Sequence, residues 1–304
     1  MSDRLHALIQ HALPKQAMTR LAHVVANARW GGLTQWIIRD FVRRYSVNMS
    51  EAQQPDLTHY RCFNDFFTRA LRPGARPLAL ADLVCPVDGA ISQCGAIDGN
   101  QIFQAKGHTY SAAALLGGDA DLAAQFASGS FATIYLSPKD YHRIHMPMAA
   151  RLLGMVHVPG QLFSVNPATA RSIPGLFARN ERVVCVFESD FGSQGKRPWA
   201  LVLVGAAIVG SMATVWHGQV NPPRPGQLRQ WNYAAQAITL GQGDEMGRFL
   251  LGSTVVLLFP PGMVQLNPQW AAGLPVRLNE VMGTLSASGA RRNPLPGQEA
   301  AHPA

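Results

Sequence analysis

The feature that most restricts the fold of this chain is a series of short apolar runs separated by turn-forming residues. The runs occupy residues 83–97, 130–136, 151–158, 182–188, 199–209 and 254–259. Glycine, proline and asparagine stand between them, as they do between strands joined by turns. This spacing predicts a largely antiparallel β domain, and the longer gaps leave room for small helices near residues 110–127 and 168–178.

The N-terminal part has a helical character. Apolar side chains recur at helical spacing over residues 5–13, before Pro14, and again from Leu33 to Tyr45. The region fits two interpretations: helices packed on the core with their arginines in water, or an anchor whose apolar face enters the lipid headgroup layer. Trp30 and Trp36 favour the anchor, because indole rings are enriched at membrane interfaces.

Between the helical part and the apolar runs, a short helix is expected over residues 60–71. Its three phenylalanines, Phe63, Phe66 and Phe67, face inward, and Arg72-Pro73-Gly74 ends it. The chain is therefore predicted to be an α+β protein, with N-terminal amphipathic helices on a mainly antiparallel, barrel-like β core. Residues 288–304 are rich in glycine, proline and alanine and predict a disordered tail.

The charge balance indicates an anionic partner. Of 304 residues, 26 are Lys or Arg and 18 are Asp or Glu, which gives a formal net charge of +8. Nucleic acid and an anionic membrane surface both satisfy this charge. The arginines form no recognisable nucleic-acid-binding module, so we expect a membrane partner and no nucleic acid.

Cysteine usage and the longest uncharged segment bear on the compartment. The four cysteines include no Cys-x-x-Cys pair, and no signal peptide opens the chain, so a cytoplasmic location is expected. Trp199 to Trp216 runs 18 residues without a charge. Two buried strands joined near Gly210-Ser211 fit this segment better than a membrane span, which favours a peripheral protein.

Four short stretches can carry chemistry. They are Val87-Asp88-Gly89, Tyr141-His142-Arg143-Ile144-His145, Glu245-Met246-Gly247-Arg248-Phe249 and Leu251-Gly252-Ser253-Thr254. Each also has a plain structural interpretation, such as a turn at Asp-Gly or a bend in a strand at Gly-Ser. The two histidines lie three apart, but prolines bracket the run and no Cys or Glu cluster accompanies it, so no metal site is predicted.

Taken together, the four stretches contain a serine, a histidine and an aspartate. This set activates a hydroxyl group, since the histidine takes the proton and the carboxylate orients the histidine. Ser253 lacks the Gly-x-Ser-x-Gly frame of α/β-hydrolases. An intact serine hydrolase acting at a membrane surface and a non-enzymatic lipid-binding protein remain alternatives.

Leu251-Gly252-Ser253-Thr254 resembles the Leu-Gly-Ser-Thr self-cleavage motif of bacterial phosphatidylserine decarboxylases. Further stretches resemble that family in the same order, over roughly residues 15–265. They are Phe63-Asn64-Asp65-Phe66-Phe67, Pro86-Val87-Asp88-Gly89, Ala105-Lys106-Gly107-His108, Tyr135 to Pro147, Phe177 to Arg182 and Glu245 to Phe249. The ordered set is far more specific than the tetrapeptide alone.

The resemblance implies a role for each matching position. Asp88 and His145 correspond to the charge-relay pair that drives self-cleavage. Ser253 corresponds to the residue that becomes a pyruvoyl group, which forms a Schiff base with phosphatidylserine and releases CO2. His142 and Asp140 are active-site neighbours. The candidate proton donor for the carbanion is His142 or, as the alternative, His145.

The resemblance also implies an organisation for the mature enzyme. Cleavage between Gly252 and Ser253, inside the motif bounded by Leu251 and Thr254, divides the chain into a β chain of residues 1–252 and an α chain of residues 253–304. The two fragments form a heterodimer, and two heterodimers associate. Residues 1–71 are then the membrane-associating region and residues 72–287 the catalytic domain, at the cytoplasmic face of the cell membrane.

Overall fold

The computed structural model describes residues 21–22, 24–192, 195–206, 211–224, 226–250 and 253–286. Among the described residues, α-helices lie at Gly32–Tyr45, Phe63–Phe67, Ala112–Leu115, Ala120–Ala124, Pro167–Ser172 and Leu176–Arg179. Single 3-10 turns lie at Met49–Glu51, Leu57–His59 and Ala234–Gln236. The short helices near residues 110–127 and 168–178 are therefore confirmed.

The strands make up most of the remaining regular structure. They are β1 (Leu83–Val84), β2 (Gly89–Ala96), β3 (Gln101–Ala105), β4 (His108–Ser111), β5 (Ser130–Leu136), β6 (Arg143–His145), β7 (Ala150–Val158), β8 (Arg182–Asp190), β9 (Lys196–Val204), β10 (Met212–Thr214), β11 (Gly218–Asn221), β12 (Arg229–Asn232), β13 (Thr239–Leu240), β14 (Glu245–Phe249), β15 (Ser253–Phe259), β16 (Val264–Leu266), β17 (Pro275–Val276) and β18 (Val281–Leu285). Every named strand pair is antiparallel.

One large sheet organises the molecule. Its strand order is β12-β7-β8-β9-β15-β5-β2-β17, with β13 paired to β7. Two smaller sheets have the orders β11-β10-β14-β6 and β1-β18-β16, and β3 and β4 form a hairpin. The predicted α+β fold with a mainly antiparallel core is confirmed. The expected barrel-like closure is not found: over the described residues, the large sheet ends at β12 and β17 and does not close on itself.

The core lies on both faces of the large sheet, and β15 shows why. All seven of its residues are buried. Because side chains alternate across a strand, Val255 and Leu257 enter the cluster on one face, while Val256 and Leu258 enter the cluster on the other. A strand covered on both sides reads as a continuous apolar run, which explains the uninterrupted sequence of this stretch.

The uncharged segment from Trp199 to Trp216 supplies two strands, as expected. Trp199 belongs to β9, and β10 follows at Met212–Thr214. The junction at residues 207–210 lies outside the described residues. Across the part of the chain that the structure describes, no helix has the length and apolar character needed to cross a bilayer.

The helix Gly32–Tyr45 confirms the second N-terminal helix but divides its apolar residues. Ile38 is fully buried against the aromatic cluster of Phe63, Phe66 and Phe67, and Ile37 packs beside it. Leu33 and Trp36 are instead 51% and 60% exposed. The core cluster contacts only a narrow stripe of the helix, and these two residues lie outside it. Residues 5–13 and the predicted tail at 288–304 lie outside the described residues.

Candidate active site

Ser253 is the first residue of β15, in the middle of the large sheet. It pairs with Leu136 at the end of β5. The residue is only 1% exposed. Its hydroxyl finds no hydrogen-bond partner among the described residues, and neither does the hydroxyl of the neighbouring Thr254. A buried hydroxyl without a partner is costly, and such groups concentrate where a chain performs chemistry.

The stretch just before Ser253 is held at both ends by one segment of chain. On one side, the amide of Phe249 donates to the carbonyl of His142 at 3.0 Å. On the other side, Ser253 pairs with Leu136. Leu251 and Gly252, the predicted cleavage position, lie between these anchors but outside the described residues.

Asp88 lies at the same end of the large sheet. Strands β2 and β15 flank β5 and are both antiparallel to it, so they start at one edge. Asp88 directly precedes β2, just as Ser253 begins β15. Gly89 permits the close approach of these strands, because a Cβ there would lie 2.4 Å from the carbonyl oxygen of Tyr135.

The carboxylate of Asp88 is buried and held by an arginine. Arg76 donates from Nε at 2.9 Å and from Nη2 at 2.6 Å, and the amide of Leu278 donates at 2.8 Å. Arg76 also reaches Glu51 at 2.7 Å. The hydrogen bond to Asp88 is the main reason that the pKa of Arg76 is raised. This forked, charge-assisted geometry fixes the carboxylate in place.

His145 lies in β6, against the segment that leads to Asp88. Its amide donates to the carbonyl of Pro86 at 2.9 Å. Its ring Nδ1 donates to the carbonyl of Gly243 at 2.7 Å, and its Nε2 is 3.2 Å from the hydroxyl of Tyr141. Since a carbonyl only accepts, Nδ1 carries the proton and Nε2 keeps its lone pair. Burial lowers the pKa of His145, so the ring is a neutral base near pH 7.

The predicted Asp88 and His145 pair is brought together by backbone rather than by side chains. Within the described residues, no hydrogen bond joins the carboxylate to the imidazole. The carbonyl of Gly243 instead occupies the position on Nδ1 that the orienting carboxylate was expected to take. The charge-relay role of this pair stays a prediction.

His142 lies beside the same anchor and is fully buried. Its Nδ1 donates to the carbonyl of Asp140 at 2.8 Å, and its ring lies 4.1 Å from that of Phe67. Burial lowers the pKa of His142 to about 3, and Nε2 has no partner among the described residues. The side chain of Asp140 accepts from the amide of Ser137 at 2.7 Å, while burial raises the pKa of Asp140.

Three residues that hydrogen-bond to Asp88 or His145 were not assigned a role from the sequence. Arg76 follows a turn and has no spacing signal that links it to Asp88. Gly243 has a left-handed φ of +82°, which turns its carbonyl toward His145. Tyr141 begins the stretch that ends at His145. Its position four residues before that histidine was the only sequence signal for their contact.

A cleft of about 550 Å³ opens at this end of the sheet. Its lining includes Asp88, Tyr135, Asp140, Tyr141 and Arg76. We call it the carboxylate cleft. It lies beside the start of β2, where Asp88 is among its lining residues.

These features lie on an antiparallel α+β fold, and comparisons with known proteins give its family. The chain matches the family described as phosphatidylserine decarboxylase over residues 63–284, and one described as PSD over residues 5–46. The chain belongs to the phosphatidylserine decarboxylase family and is thus an enzyme of the decarboxylase class.

Curated relatives agree over nearly the whole length. The phosphatidylserine decarboxylase proenzyme of Variovorax paradoxus (strain S110) is 68% identical over 286 residues, which are 94% of this chain and 99% of the relative. The protein of the same name from Verminephrobacter eiseniae (strain EF01-2) is 69% identical over 282 residues, which are 93% of this chain and 98% of the relative.

Proposed function

We propose that this chain is a phosphatidylserine decarboxylase proenzyme that cuts itself between Gly252 and Ser253. Family membership and the names of the curated relatives support the activity. The observation that carries self-cleavage is the double anchor: Phe249 is bonded to His142, and Ser253 is paired with Leu136. These two contacts hold the described residues on either side of the predicted cleavage position against residues 136–142, which include His142.

The cleavage chemistry uses only the chain and one water molecule. A base removes the hydroxyl proton of Ser253, and Oγ attacks the carbonyl carbon of Gly252, so that the amide becomes an ester. Loss of the Cα proton and of the ester oxygen from Cβ leaves dehydroalanine at position 253. Water then hydrolyses it to a pyruvoyl group and releases ammonia. The β chain keeps the carboxylate of Gly252.

His145 is the proposed base. Its Nδ1 is already bonded to the carbonyl of Gly243, which fixes the tautomer with a free lone pair on Nε2. To reach Ser253, Nε2 exchanges its contact with Tyr141 for one with Oγ. Asp88, two residues beyond the carbonyl that binds the His145 backbone, is the proposed source of the negative charge that favours imidazolium formation.

The residue at position 253 and its surroundings fit a pyruvoyl group. Ser253 supplies the carbon skeleton, and its burial keeps bulk water from the position. When formed, that group supplies the electron sink that decarboxylation of an amino acid requires. His142, whose Nε2 has no partner among the described residues, is the proposed residue for moving a proton there. Because it is neutral, it must first take up the proton that it delivers.

The N-terminal region is proposed to dock on an anionic membrane at the cytoplasmic face. Five apolar residues are exposed together in sequence: Leu21, Val24, Trp30, Leu33 and Trp36. We call them the N-terminal apolar patch. Arg39 and Arg43 extend from the same helix into solvent. Exposed tryptophan beside arginine suits the headgroup layer of anionic lipid, which is where the substrate lies.

Self-cleavage is tested by Ser253→Ala. Wild-type protein should give two fragments on a denaturing gel that meet at Gly252 and Ser253, with the smaller lacking a free α-amine by intact mass. Ser253→Ala should remain one chain and lose decarboxylase activity, because alanine has no β-oxygen to attack or to leave. Ser253→Cys should cleave slowly.

Ser172→Ala is the matched control, since its hydroxyl bonds the carbonyl of Ala168 within one helix. It should cleave like the wild type. A wild-type chain that stays intact yet hydrolyses esters would establish a serine hydrolase instead. One that stays intact and binds lipid without turnover would establish a lipid-binding protein.

A further inference from the structure

Arg69 is a buried arginine without a counter-charge. It is only 5% exposed, and Nη2 donates to the carbonyl of Lys139 at 3.2 Å. Its Nε and Nη1 have no hydrogen-bond partner among the described residues. Its guanidinium lies 5.3 Å from the ring centre of Phe66. Burial lowers the pKa of Arg69, which expresses the cost of holding this charge away from water.

Arg182 is a second buried arginine of this fold, and its hydrogen bonds are all made within the protein. It is 3% exposed, and it donates to four backbone carbonyls, those of Ala114, Leu115, Ala178 and Asn180. Arg69 has one such acceptor. The difference indicates that Arg69 retains its charge for an acceptor that is not part of the chain.

The location of Arg69 indicates what that acceptor is. Arg69 lines the carboxylate cleft and also a second cleft of about 650 Å³. The second cleft, which we call the arginine cleft, is further lined by Arg29, Arg61, Arg143 and Arg248. Five guanidinium groups around one cavity attract an anion.

Few acidic side chains of the protein neutralise the positive charge of the arginine cleft. Among the described residues that line the arginine cleft, Asp65 alone has a carboxylate. Glu245 bonds Arg143 at 2.8 Å and Arg248 at 2.7 Å, which leaves Arg69 without an acidic partner. The negative charges of Asp88 and Asp140 act to raise the pKa of Arg69. Among the described residues, however, no ion pair joins either of them to Arg69.

We propose that Arg69 binds the phosphodiester of the glycerophospholipid substrate, at the junction between the arginine cleft and the carboxylate cleft. This inference rests on the proposed function and adds to it the group that holds the headgroup. Planar guanidinium forks match phosphate oxygens. Arg29, which lines the arginine cleft, directly precedes Trp30 of the N-terminal apolar patch, so the cleft opens beside the surface proposed to contact lipid.

The carboxylate of the substrate is the poorer match for Arg69. Decarboxylation requires that this carboxylate lose its charge as CO2 leaves, and a strong hydrogen bond to the ground-state carboxylate would oppose that step. The phosphodiester keeps its charge throughout the reaction, so binding it positions the substrate without a penalty in the transition state.

The experiment measures binding of sn-glycero-3-phosphoethanolamine, the headgroup of the product, which the enzyme does not consume. Titration calorimetry compares full-length wild type with Arg69→Gln and Arg69→Lys. Arg69→Gln should raise Kd by about tenfold to a hundredfold, the effect of losing a charge-assisted hydrogen bond. Arg69→Lys should fall between the two, since it keeps the charge and loses the fork. Arg197→Gln, an exposed arginine on β9, should bind as the wild type does.

A second arm titrates inorganic phosphate alone. If Arg69→Gln weakens phosphate binding but leaves the Kd for the glycerophosphodiester unchanged, the site serves free phosphate and the proposal is overturned. Equal Kd values of wild type and Arg69→Gln for both probes overturn it as well. Self-cleavage of each variant on a gel confirms folding, and Arg69→Lys carries the test if Arg69→Gln does not fold. Failure of the proposed function is recognised separately, as a wild-type chain that neither cleaves nor decarboxylates.

Discussion

At the scale of single residues, Asp88 depends on Arg76. Both side chains are buried, at 9% and 8% exposure, and Arg76 provides the hydrogen bonds that compensate for burying the carboxylate. Removing one member of a buried ion pair leaves an uncompensated charge. Arg76→Met should therefore lower the free energy of unfolding by about 3–5 kcal/mol, measured by urea denaturation in a Ser253→Ala background so that one intact chain unfolds.

Arg197→Met is the control for the substitution itself, because that side chain is exposed. It should change the free energy of unfolding by less than about 1 kcal/mol. A similarly small change for Arg76→Met would show that the amide of Leu278 alone suffices to hold Asp88.

His142 makes stability depend on pH. Its pKa is about 3 in the folded chain and about 6.5 in the unfolded chain. Between these values the unfolded state binds the extra proton. The contribution of neutral His142 to the free energy of unfolding is therefore fully present above about pH 6.5. It decreases as the pH falls toward 3, by up to about 1.4 kcal/mol per pH unit. His142→Gln, which keeps an amide donor for the carbonyl of Asp140, should flatten this dependence.

The measurement is urea denaturation at about pH 7 and at about pH 5, with and without His142→Gln in the Ser253→Ala background. His145 remains in both chains, so its own lowered pKa cancels in the comparison. An identical loss of stability in the two chains would contradict the role given to His142.

At the scale of elements, the helix Gly32–Tyr45 has one face that packs on the core and another that is exposed, which we propose contacts the membrane. Ile38 is fully buried, whereas Trp36 is mostly exposed. Trp36→Ser should reduce binding to anionic vesicles several-fold in a flotation assay, because the indole no longer enters the headgroup layer. Its Tm should remain unchanged, since no core contact is lost.

Ile38→Ser is the matched comparison on the same helix. It should lower Tm because it removes a buried side chain and buries a hydroxyl. Vesicle binding by Trp36→Ser at the wild-type level would exclude this face as the membrane contact.

The strands could be predicted from the sequence, whereas the candidate site could be predicted only in part. Buried runs such as residues 255–259 of β15 carry their own signal, because a strand covered on both faces is mostly a continuous apolar run. Helical periodicity alone did not decide between the two interpretations of the helix Gly32–Tyr45, since it identifies apolar residues but not which of them a neighbouring cluster covers. Asp88, His145 and Ser253 were proposed as site residues through family resemblance, whereas Arg76 and Gly243 contact Asp88 and His145 through tertiary contacts that no local pattern encodes.

At the scale of the whole molecule, the two proposed fragments are woven into the same sheets. The described part of the α chain contributes β15, β17 and β18, which pair with β5 and β9, with β2, and with β1 of the β chain. These pairings place the fragments in one hydrophobic core. After cleavage, both fragments should co-elute in native size-exclusion chromatography and separate only in denaturant. Separation in plain buffer would contradict this arrangement.

The complete burial of β15 also sets the order of events in the life of each copy. Ser253 and Leu136 are far apart in sequence and become neighbours only when the sheet is assembled. On the proposed mechanism, the cut therefore records that folding has finished. A copy that misfolds never acquires its reactive group, so the cell needs no separate inspection step to keep defective copies from acting on its membrane lipids.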